Sequence, residues 1–335
     1  MRATTLLGAT IALALLSGCD RNLLEPPDQG EWQGELPACG APLAAYFDRA
    51  IMQPPGENSH LVIADEIAIG DAMSNALAAG VRGDFATLQQ VTAPWGYTAC
   101  FAPEAQAVLL RPEPGRGLPL MAWRLGTSRP FLLEVPHPFH EVNTLAQGVE
   151  AFLTLGARAL IVSGTHRCAS DALAECNGES DVCEGGYRKS DPAHNPDSVF
   201  HAMHVALADT YFRHYAISLH GLSGPDVIVS DGTEFRASGG TPIADVATHL
   251  RDVLAGEVEV MSCNGVRGMV GTDSHCGTTN AQGRHLNESA NVCGESADTS
   301  SYRFVHLEQP RYLRDAPTLR VAVIAGLFAA LDPED

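Results

Sequence analysis

Short apolar stretches that alternate with helical ones limit the fold of this chain more than any other feature. Strands are predicted at residues 107–111, 118–124, 131–135, 159–163, 215–219, 226–230, 258–261 and 302–307. Helices are predicted at residues 44–52, 72–79, 144–155, 198–209, 243–254 and 319–331. Strands and helices that alternate in this way form a partly parallel sheet flanked by helices. We therefore predict a single α/β domain with a mixed sheet over residues 41–335, with 41–106 as a candidate N-terminal extension.

The charge of the chain excludes several classes of function. The 335 residues include 21 Lys and Arg against 40 Asp and Glu, which gives a net charge of −19. Without a basic block, the chain lacks the phosphate-neutralising surface on which nucleic-acid binding depends. It also contains neither a Gly-rich phosphate loop nor a Gly-x-Ser-x-Gly elbow. Neither a nucleic acid nor a nucleotide is therefore an expected partner, and serine hydrolase chemistry is not predicted.

The N-terminus has the parts of an export signal. Arg2 precedes an apolar run from Leu6 to Leu16, which is followed by Ser17, Gly18 and Cys19. The run is too short for a permanent membrane span. The ending Leu-Ser-Gly-Cys resembles a bacterial lipobox, which implies that Cys19 is lipidated and becomes the mature N-terminus. An ordinary signal peptide cut nearby is the alternative. We predict a signal at 1–18, a Pro-containing tether at 19–40, and a protein anchored to the periplasmic face of the cell envelope through lipidated Cys19.

The other cysteines agree with export. Eight cysteines remain besides Cys19, and an even number in an exported chain predicts up to four disulfides. No Cys-x-x-Cys pair occurs, which disfavours a cysteine zinc site or a thioredoxin-like motif. The cysteines at 168–183 and 263–293 lie in stretches rich in Gly, Ser and Asn, so we expect long loops cross-linked around a site.

Two predicted strands end in candidate metal ligands. His137 and Glu141 follow the strand at 131–135, and His220 follows the strand at 215–219. Open α/β sheets place their ligands at the carboxyl ends of strands. Imidazole and carboxylate suit zinc, and a catalytic zinc site uses three protein ligands and leaves one position open. The sequence therefore predicts one Zn²⁺ held by these three side chains. The alternative is that polar residues at the strand ends simply face solvent.

A glutamate at the end of a late strand is the candidate catalytic residue. Glu308 follows the strand at 302–307. A carboxylate beside a zinc-bound water can take its proton and later give it to the leaving amine. The alternative is an edge-strand glutamate that pairs with Arg311 or Arg314.

These motifs together resemble the zinc carboxypeptidase superfamily, most closely its divergent branch of phage-type poly-γ-glutamate hydrolases. Glu141 is followed three residues later by Thr144, as in that branch, and residues 307–314 match its Leu-Glu-x-x-x-x-Leu-Arg pattern. The resemblance extends over residues 132–331 as scattered motifs. It implies a mixed sheet between helices, as in the carboxypeptidase and phosphorylase folds, one zinc ion, and hydrolysis of an amide bond near a free carboxylate.

The first motif departs from the superfamily pattern. The usual spacing is His-x-x-Glu, whereas His137 and Glu141 are four residues apart. His140 therefore stays an alternative ligand, and His194 is a second one.

The resemblance also implies substrate-binding residues. Carboxypeptidase-like enzymes hold the substrate carboxylate with an arginine and an asparagine between the last metal histidine and the catalytic glutamate. By order in the chain, Arg284 and Asn280 occupy these positions, and bidentate binding of a carboxylate suits a guanidinium. Arg167 follows the strand at 159–163 and is a further candidate. His166, Arg167, Asp191 and His194 are predicted to line the cleft or to orient the metal ligands.

Three functions therefore stay open. The first is a lipid-anchored zinc carboxypeptidase or amidohydrolase that acts on a small peptide or an N-acyl amino acid, since the acidic chain opposes a polyanionic substrate. The second is a metal hydrolase similar to N-formylglutamate amidohydrolases, with His137, His140 or His194 in other roles. The third is a non-catalytic envelope lipoprotein that kept the scaffold without the metal.

Overall fold

A ten-stranded mixed sheet forms the centre of the molecule. The computed structural model describes residues 36–52, 66–237, 239–255 and 258–332. The strands are β1 (Tyr97–Ala102), β2 (Ala107–Pro112), β3 (Leu120–Arg124), β4 (Arg129–Val135), β5 (Ala157–Val162), β6 (Glu179–Ser180), β7 (Gly185–Gly186), β8 (Tyr215–Leu222), β9 (Val227–Ser230), β10 (Val260–Ser262), β11 (Val270–Gly271) and β12 (Phe304–Pro310). Their order across the sheet is β1-β2-β3-β5-β4-β8-β12-β9-β10-β11, while β6 and β7 form a separate hairpin.

The centre of this sheet is parallel. Strands β5, β4, β8 and β12 all run in one direction, so their carboxyl ends meet at one edge of the sheet. Strands β1, β2 and β3 extend the sheet on one side in antiparallel order. On the other side β9 runs antiparallel to β12, and β10 and β11 run parallel to β9.

Helices cover both faces of the sheet. They are α1 (Leu43–Met52), α2 (Glu66–Val81), α3 (Phe85–Thr92), α4 (Thr144–Leu155), α5 (Val199–Thr210), α6 (Pro242–Val253), α7 (Ala281–Leu286), α8 (Arg311–Asp315) and α9 (Pro317–Leu331). Apolar side chains of α1, α4, α6 and α9 pack on one face, and those of α2, α3 and α5 pack on the other. None of the helices in the described ranges has the length and apolar character that crossing a membrane requires.

The alternation of side chains along the central strands gives the two faces different chemistry. On β8, Ile217 and Leu219 pack into the apolar cluster beneath α4, α6 and α9. Ser218 and His220 point to the opposite face, because successive side chains of a strand alternate. Register carries the same alternation to β12, where His306 lies beside Ser218 and Glu308 lies beside His220. One face of the sheet is therefore apolar to its carboxyl edge, while the other becomes polar there.

A close approach between helix α4 and the sheet depends on a glycine. A Cβ atom at Gly148 would lie 2.8 Å from a Val135 methyl carbon and 3.0 Å from one of Leu160. Only glycine therefore lets α4 lie this close to β4 and β5. This packing fixes the unit β4-α4-β5, in which His137 and Glu141 lie between β4 and α4.

The α/β fold with a mixed, helix-flanked sheet is confirmed, and each predicted strand and helix is present. Helix α3 and strand β1 were not predicted. The predicted tether at 19–40 is wrong in its last residues, because Ala38 forms a bridge with Phe101 and Cys39 is bonded to Cys100. The folded body therefore begins before residue 41. The predicted signal, Cys19 and the tether up to residue 35 lie outside the described residues.

Four disulfides join the eight cysteines that follow Cys19, as the even count predicts. They are Cys39–Cys100, Cys168–Cys183, Cys176–Cys293 and Cys263–Cys276. Cys176–Cys293 joins the two cysteine-rich loops, which are 117 residues apart in sequence. Three of the four bonds therefore cross-link the segment between β5 and α5 and the segment between β10 and β12.

We expect the stability of the disulfide variants to follow loop length. By loop-closure entropy, the 117-residue separation of Cys176 and Cys293 corresponds to about 5 kcal/mol, and the 13-residue separation of Cys263 and Cys276 to about 3 kcal/mol. The paired Ser variant C176S/C293S should therefore lower the free energy of unfolding in urea more than C263S/C276S does. An equal or reversed loss would contradict the prediction.

Candidate metal centre

The candidate site lies where three central parallel strands end. His137 follows the end of β4, His220 lies near the end of β8, and Glu308 lies beside His220 on β12. The loop after β4 makes one helical turn, in which the Glu141 N–H donates to the His137 carbonyl oxygen at 2.8 Å. This turn returns Glu141 to the side of His137. The Thr144 hydroxyl then donates to the Glu141 carbonyl oxygen at 2.8 Å and fixes the turn at the start of α4.

His137, Glu141 and His220 converge on one point. All three side chains are buried, and one donor atom from each lies within 4.8 Å of the others. Nδ1 of His137 lies 2.7 Å from Oε1 of Glu141, and Nδ1 of His220 lies 3.4 Å from Oε2 of the same carboxylate. The structure thus brings together the three residues predicted as metal ligands.

Hydrogen bonds fix the orientation of both imidazoles. Nε2 of His137 lies 2.9 Å from Oδ1 of Asp191, whose other oxygen accepts from Nε and Nη2 of Arg167 at 2.9 and 2.6 Å. Nε2 of His220 lies 3.0 Å from the Ser218 hydroxyl. In both rings, Nδ1 is therefore the nitrogen that faces the point of convergence. A carboxylate behind a histidine is the arrangement that orients metal-binding imidazoles in proteins.

The glycine after His220 also serves the site. Its N–H donates to Oε2 of Glu141 at 3.1 Å, and a Cβ atom at Gly221 would overlap the guanidinium of Arg314. Gly221 therefore allows both the Glu141 carboxylate and the Arg314 guanidinium to lie close to the backbone of β8.

The charges of this group depend on one another. Burial raises the pKa of Glu141, but the neighbouring His137 and His220 outweigh it and hold that pKa well below its ordinary value. Asp191 is buried in the same way, and His137, His194 and Arg167 hold its pKa well below the ordinary range. Burial and Arg167 lower the pKa of His137, yet the two carboxylates outweigh them and raise it. The pKa of His220 is lowered, chiefly by burial.

Glu308 differs from the other carboxylates. Burial and the negative charge of Glu141 raise its pKa well above the ordinary value, and its Oε2 has no hydrogen-bond partner among the described residues. The alternative of an edge-strand glutamate is wrong, because β12 lies between β8 and β9. Arg311 instead pairs with Asp315 at 3.3 Å, and Arg314 donates to backbone carbonyl oxygens.

A cavity of about 280 Å³ opens above these residues. Its walls include Arg167 and Asn280, two of the predicted substrate-binding residues. Asn280 caps α7 by accepting from the Gly283 N–H through Oδ1, which leaves its buried Nδ2 without a partner among the described residues. Two donors of Arg167 bond to Asp191, while its Nη1 lies 3.9 Å from Glu141.

Arg284 is placed elsewhere. It is buried and lies outside the residues that line the cavity. Its guanidinium donates to the carbonyl oxygens of Thr278, Val292 and Cys293 at 2.8, 3.2 and 2.7 Å. The structure therefore uses Arg284 to fasten the loops around α7, a role that chain order alone does not distinguish from binding a carboxylate.

The two alternative ligands, His140 and His194, lie outside the group formed by His137, Glu141 and His220. His140 is exposed, and its ring contacts His166 edge-on at a centroid distance of 5.6 Å. His194 lines the cavity, where its ring stacks on Tyr187 at 3.7 Å and burial lowers its pKa to about 4. Neither belongs to a ligand group among the described residues.

Two histidines of helix α5, His201 and His204, are buried and lie outside the residues that line the cavity. Nδ1 of His204 lies 2.5 Å from Oε1 of Glu134, while His201 lies 3.3 Å from the Gln282 amide nitrogen. Burial lowers the pKa of both histidines well below the ordinary value and raises the pKa of Glu134 to about 8.

His306 is the site residue that the sequence analysis missed. It is buried, lines the cavity, and forms a second group of potential ligands with His220 and Glu308. Its ring lies 4.5 Å from that of His220. Residues two apart on a strand share a face, so the placement of Glu308 on β12 already implied that His306 faces the same site.

The cross-linked loops form the outer wall of the cavity. Glu179 and Asp181 lie on its rim, in the segment that Cys168–Cys183 closes. The Tyr187 hydroxyl donates to the Thr279 hydroxyl at 3.2 Å and joins this segment to the loop before α7. The predicted loops around a site are present, and their rim is acidic.

We expect acid to destabilise the metal-free protein through Asp191. A carboxylate whose folded pKa is depressed stabilises the fold above its unfolded pKa of about 4, and that stability is lost as the pH falls. The melting temperature of the metal-free wild type should therefore fall steeply below about pH 5, and the fall should be shallower in Asp191→Asn. Thermal unfolding between pH 7 and pH 3, in the presence of chelator, measures this.

Asp48→Asn is the matched control, because Asp48 is exposed on α1. It should keep the wild-type pH dependence. If the melting temperature of Asp191→Asn falls with pH as steeply as that of the wild type, Asp191 is not the source of this pH dependence.

No protein-family model matches the chain, and no curated protein sequence matches it.

Proposed function

We propose that this protein is a zinc-dependent hydrolase of the bacterial cell envelope that cleaves an amide bond near a free carboxylate. The observation that carries the proposal is the convergence of His137, Glu141 and His220 at the carboxyl edge of the sheet, with Glu308 beside His220.

The donor set fits zinc. Two imidazoles and one carboxylate are the ligand types of catalytic zinc sites, and three protein ligands leave room for water or substrate. His137 would bind through Nδ1, since Asp191 holds its Nε2. His220 would also use Nδ1, since Ser218 occupies its other nitrogen. When bound, zinc would polarise the amide carbonyl and acidify water at neutral pH.

Glu308 has the environment of a general base and acid. Burial and Glu141 raise its pKa well above the ordinary value, and a carboxyl group with a raised pKa can both accept and return a proton. It would take the proton from the attacking water and pass it to the nitrogen of the leaving amine. Because the group is buried among other side chains at the base of the cavity, bulk water is kept from competing for this proton.

The walls of the cavity suit a small substrate. Asn280 and Arg167 line the cavity, and the guanidinium of Arg167 could bind a substrate carboxylate. Glu179 and Asp181 at the rim repel a long polyanion. We therefore propose a small peptide or an N-acyl amino acid as substrate.

Replacing Glu308 separates chemistry from metal binding. We expect Glu308→Gln to bind one zinc ion as the wild type does and to hydrolyse N-acyl amino acids and dipeptides at least about 10²-fold more slowly. We expect His220→Ala and Glu141→Gln to lose stoichiometric zinc. Zinc content by plasma mass spectrometry, and hydrolysis before and after chelation and zinc restoration, measure both effects.

Glu259→Gln is the matched control for Glu308→Gln, because Glu259 is exposed next to β10. Activity that is indifferent to chelator, or unchanged in Glu308→Gln, would remove the mechanism. A reconstituted protein without zinc would favour the non-catalytic alternative. If His140→Ala loses zinc while Glu141→Ala keeps it, the second metal-hydrolase hypothesis is favoured.

The proposed location has its own test. Disulfides form in oxidising compartments, which supports export. Lipidated Cys19 would anchor the chain to the membrane, so Cys19→Ala should move the protein from the membrane to the soluble fraction and abolish labelling by a palmitate analogue. Unchanged labelling of Cys19→Ala would contradict the predicted anchor.

A further inference from the structure

A second cavity, formed where helix α1 meets the β2–β3 loop, carries unusual charge for this chain. It has a volume of about 150 Å³ and shares no lining residue with the cavity of the candidate metal centre. Three arginines line it, Arg49 of α1, Arg111 of β2 and Arg116 of the loop, together with one carboxylate, Glu113. The lining is therefore net positive by two in a protein whose net charge is −19.

The Tyr46 ring holds Arg111 in place at one wall of this cavity. The centre of its guanidinium lies 5.0 Å from the centroid of the Tyr46 ring, a cation–π contact. Its Nε is buried and has no hydrogen-bond partner among the described residues. A guanidinium that contacts a ring through its face leaves its N–H groups free for a ligand in its plane.

The neighbouring arginines complete the arrangement. Arg49 lies 5.7 Å from the same Tyr46 ring, so the two guanidinium groups meet around one aromatic side chain. Arg116 pairs with Glu113 through Nη2 at 2.9 Å and Nε at 3.2 Å, which holds it at the mouth of the cavity. Like charges gathered in this way repel one another, and an anion between them removes that repulsion.

From these contacts we propose that this cavity binds a phosphate monoester group. Arginine binds phosphate and carboxylate through paired hydrogen bonds. A phosphate monoester carries about −1.5 to −2 charges at neutral pH, which matches the lining better than the single charge of a carboxylate. The phosphate belongs to a soluble phosphorylated compound or to the headgroup of a lipid, and the two sources share this chemistry. The inference does not depend on the proposed hydrolase activity.

Inorganic phosphate titrated into the full chain tests the proposal. Calorimetry and thermal unfolding, with chloride at matched ionic strength as reference, should show saturable binding to the wild type. Arg111→Gln should weaken it about tenfold or more, because hydrogen bonds to charged groups are the strong ones. Arg49 is exposed, so Arg49→Gln should weaken binding without affecting folding.

Two controls define the site. Arg213 is exposed and lies 5.4 Å from the Phe212 ring, a comparable contact outside any cavity described here, so Arg213→Gln should bind phosphate as the wild type does. His220→Ala should also bind normally, since it changes only the other cavity. Loss of binding in His220→Ala, no saturable effect in the wild type, or equal binding by the wild type, Arg111→Gln and Arg49→Gln would overturn the proposal.

Vesicles distinguish the two sources. We compare vesicles of phosphatidylcholine alone with vesicles that also contain phosphatidic acid, whose headgroup is a phosphate monoester. Retention on phosphatidic acid that is lost in Arg111→Gln and kept in Arg213→Gln supports the site and identifies a lipid source. Phosphate binding without such a difference between vesicles supports the site with a soluble source.

Discussion

Glu141 is the carboxylate on which the rest of the candidate site depends. It is buried, and it faces Nδ1 of His137, Nδ1 of His220 and the N–H of Gly221 from two strands that are distant in sequence. A buried carboxylate without such partners would lose its charge. The partners keep it ionised, and its charge in turn acts on its neighbours: it helps to raise the pKa of His137 and of Glu308. One ionised group thus influences the protonation of both His137 and Glu308.

Hydrogen bonds from neighbouring side chains hold the two histidines of the candidate site in place. Asp191 links His137 to Arg167, and Ser218 holds the far nitrogen of His220. Asp191 and Arg167 lie in the segment between β5 and α5, whereas Ser218 lies on β8. Both the loops and the sheet therefore orient the imidazoles. Replacement of a supporting residue should therefore disturb the site even where no ligand atom changes.

The sequence predicted the fold and the grouping of His137, Glu141 and His220 because both follow from local patterns. Apolar runs that end in His137 and His220 identify strand ends, and the parallel order of the sheet brings such ends together. Strand β1 was missed although Tyr97, Thr98 and Phe101 favour strands. Its pairing with β2 and its disulfide to Cys39 are contacts that a local pattern does not show. Arg284 was misplaced because order in the chain does not show where a guanidinium points. His306 was within reach, since strand alternation from Glu308 implies its position.

The Cys176–Cys293 bond has a consequence for where in the cell the protein is competent. The segment after β5 supplies Asp191, Arg167 and the acidic rim, and the segment before β12 supplies Asn280. In a reducing cytosol these two segments have no covalent connection, although the sheet beneath them can already be packed. An oxidising compartment would fasten them, so the arrangement of the cavity walls depends on the redox state of the surroundings.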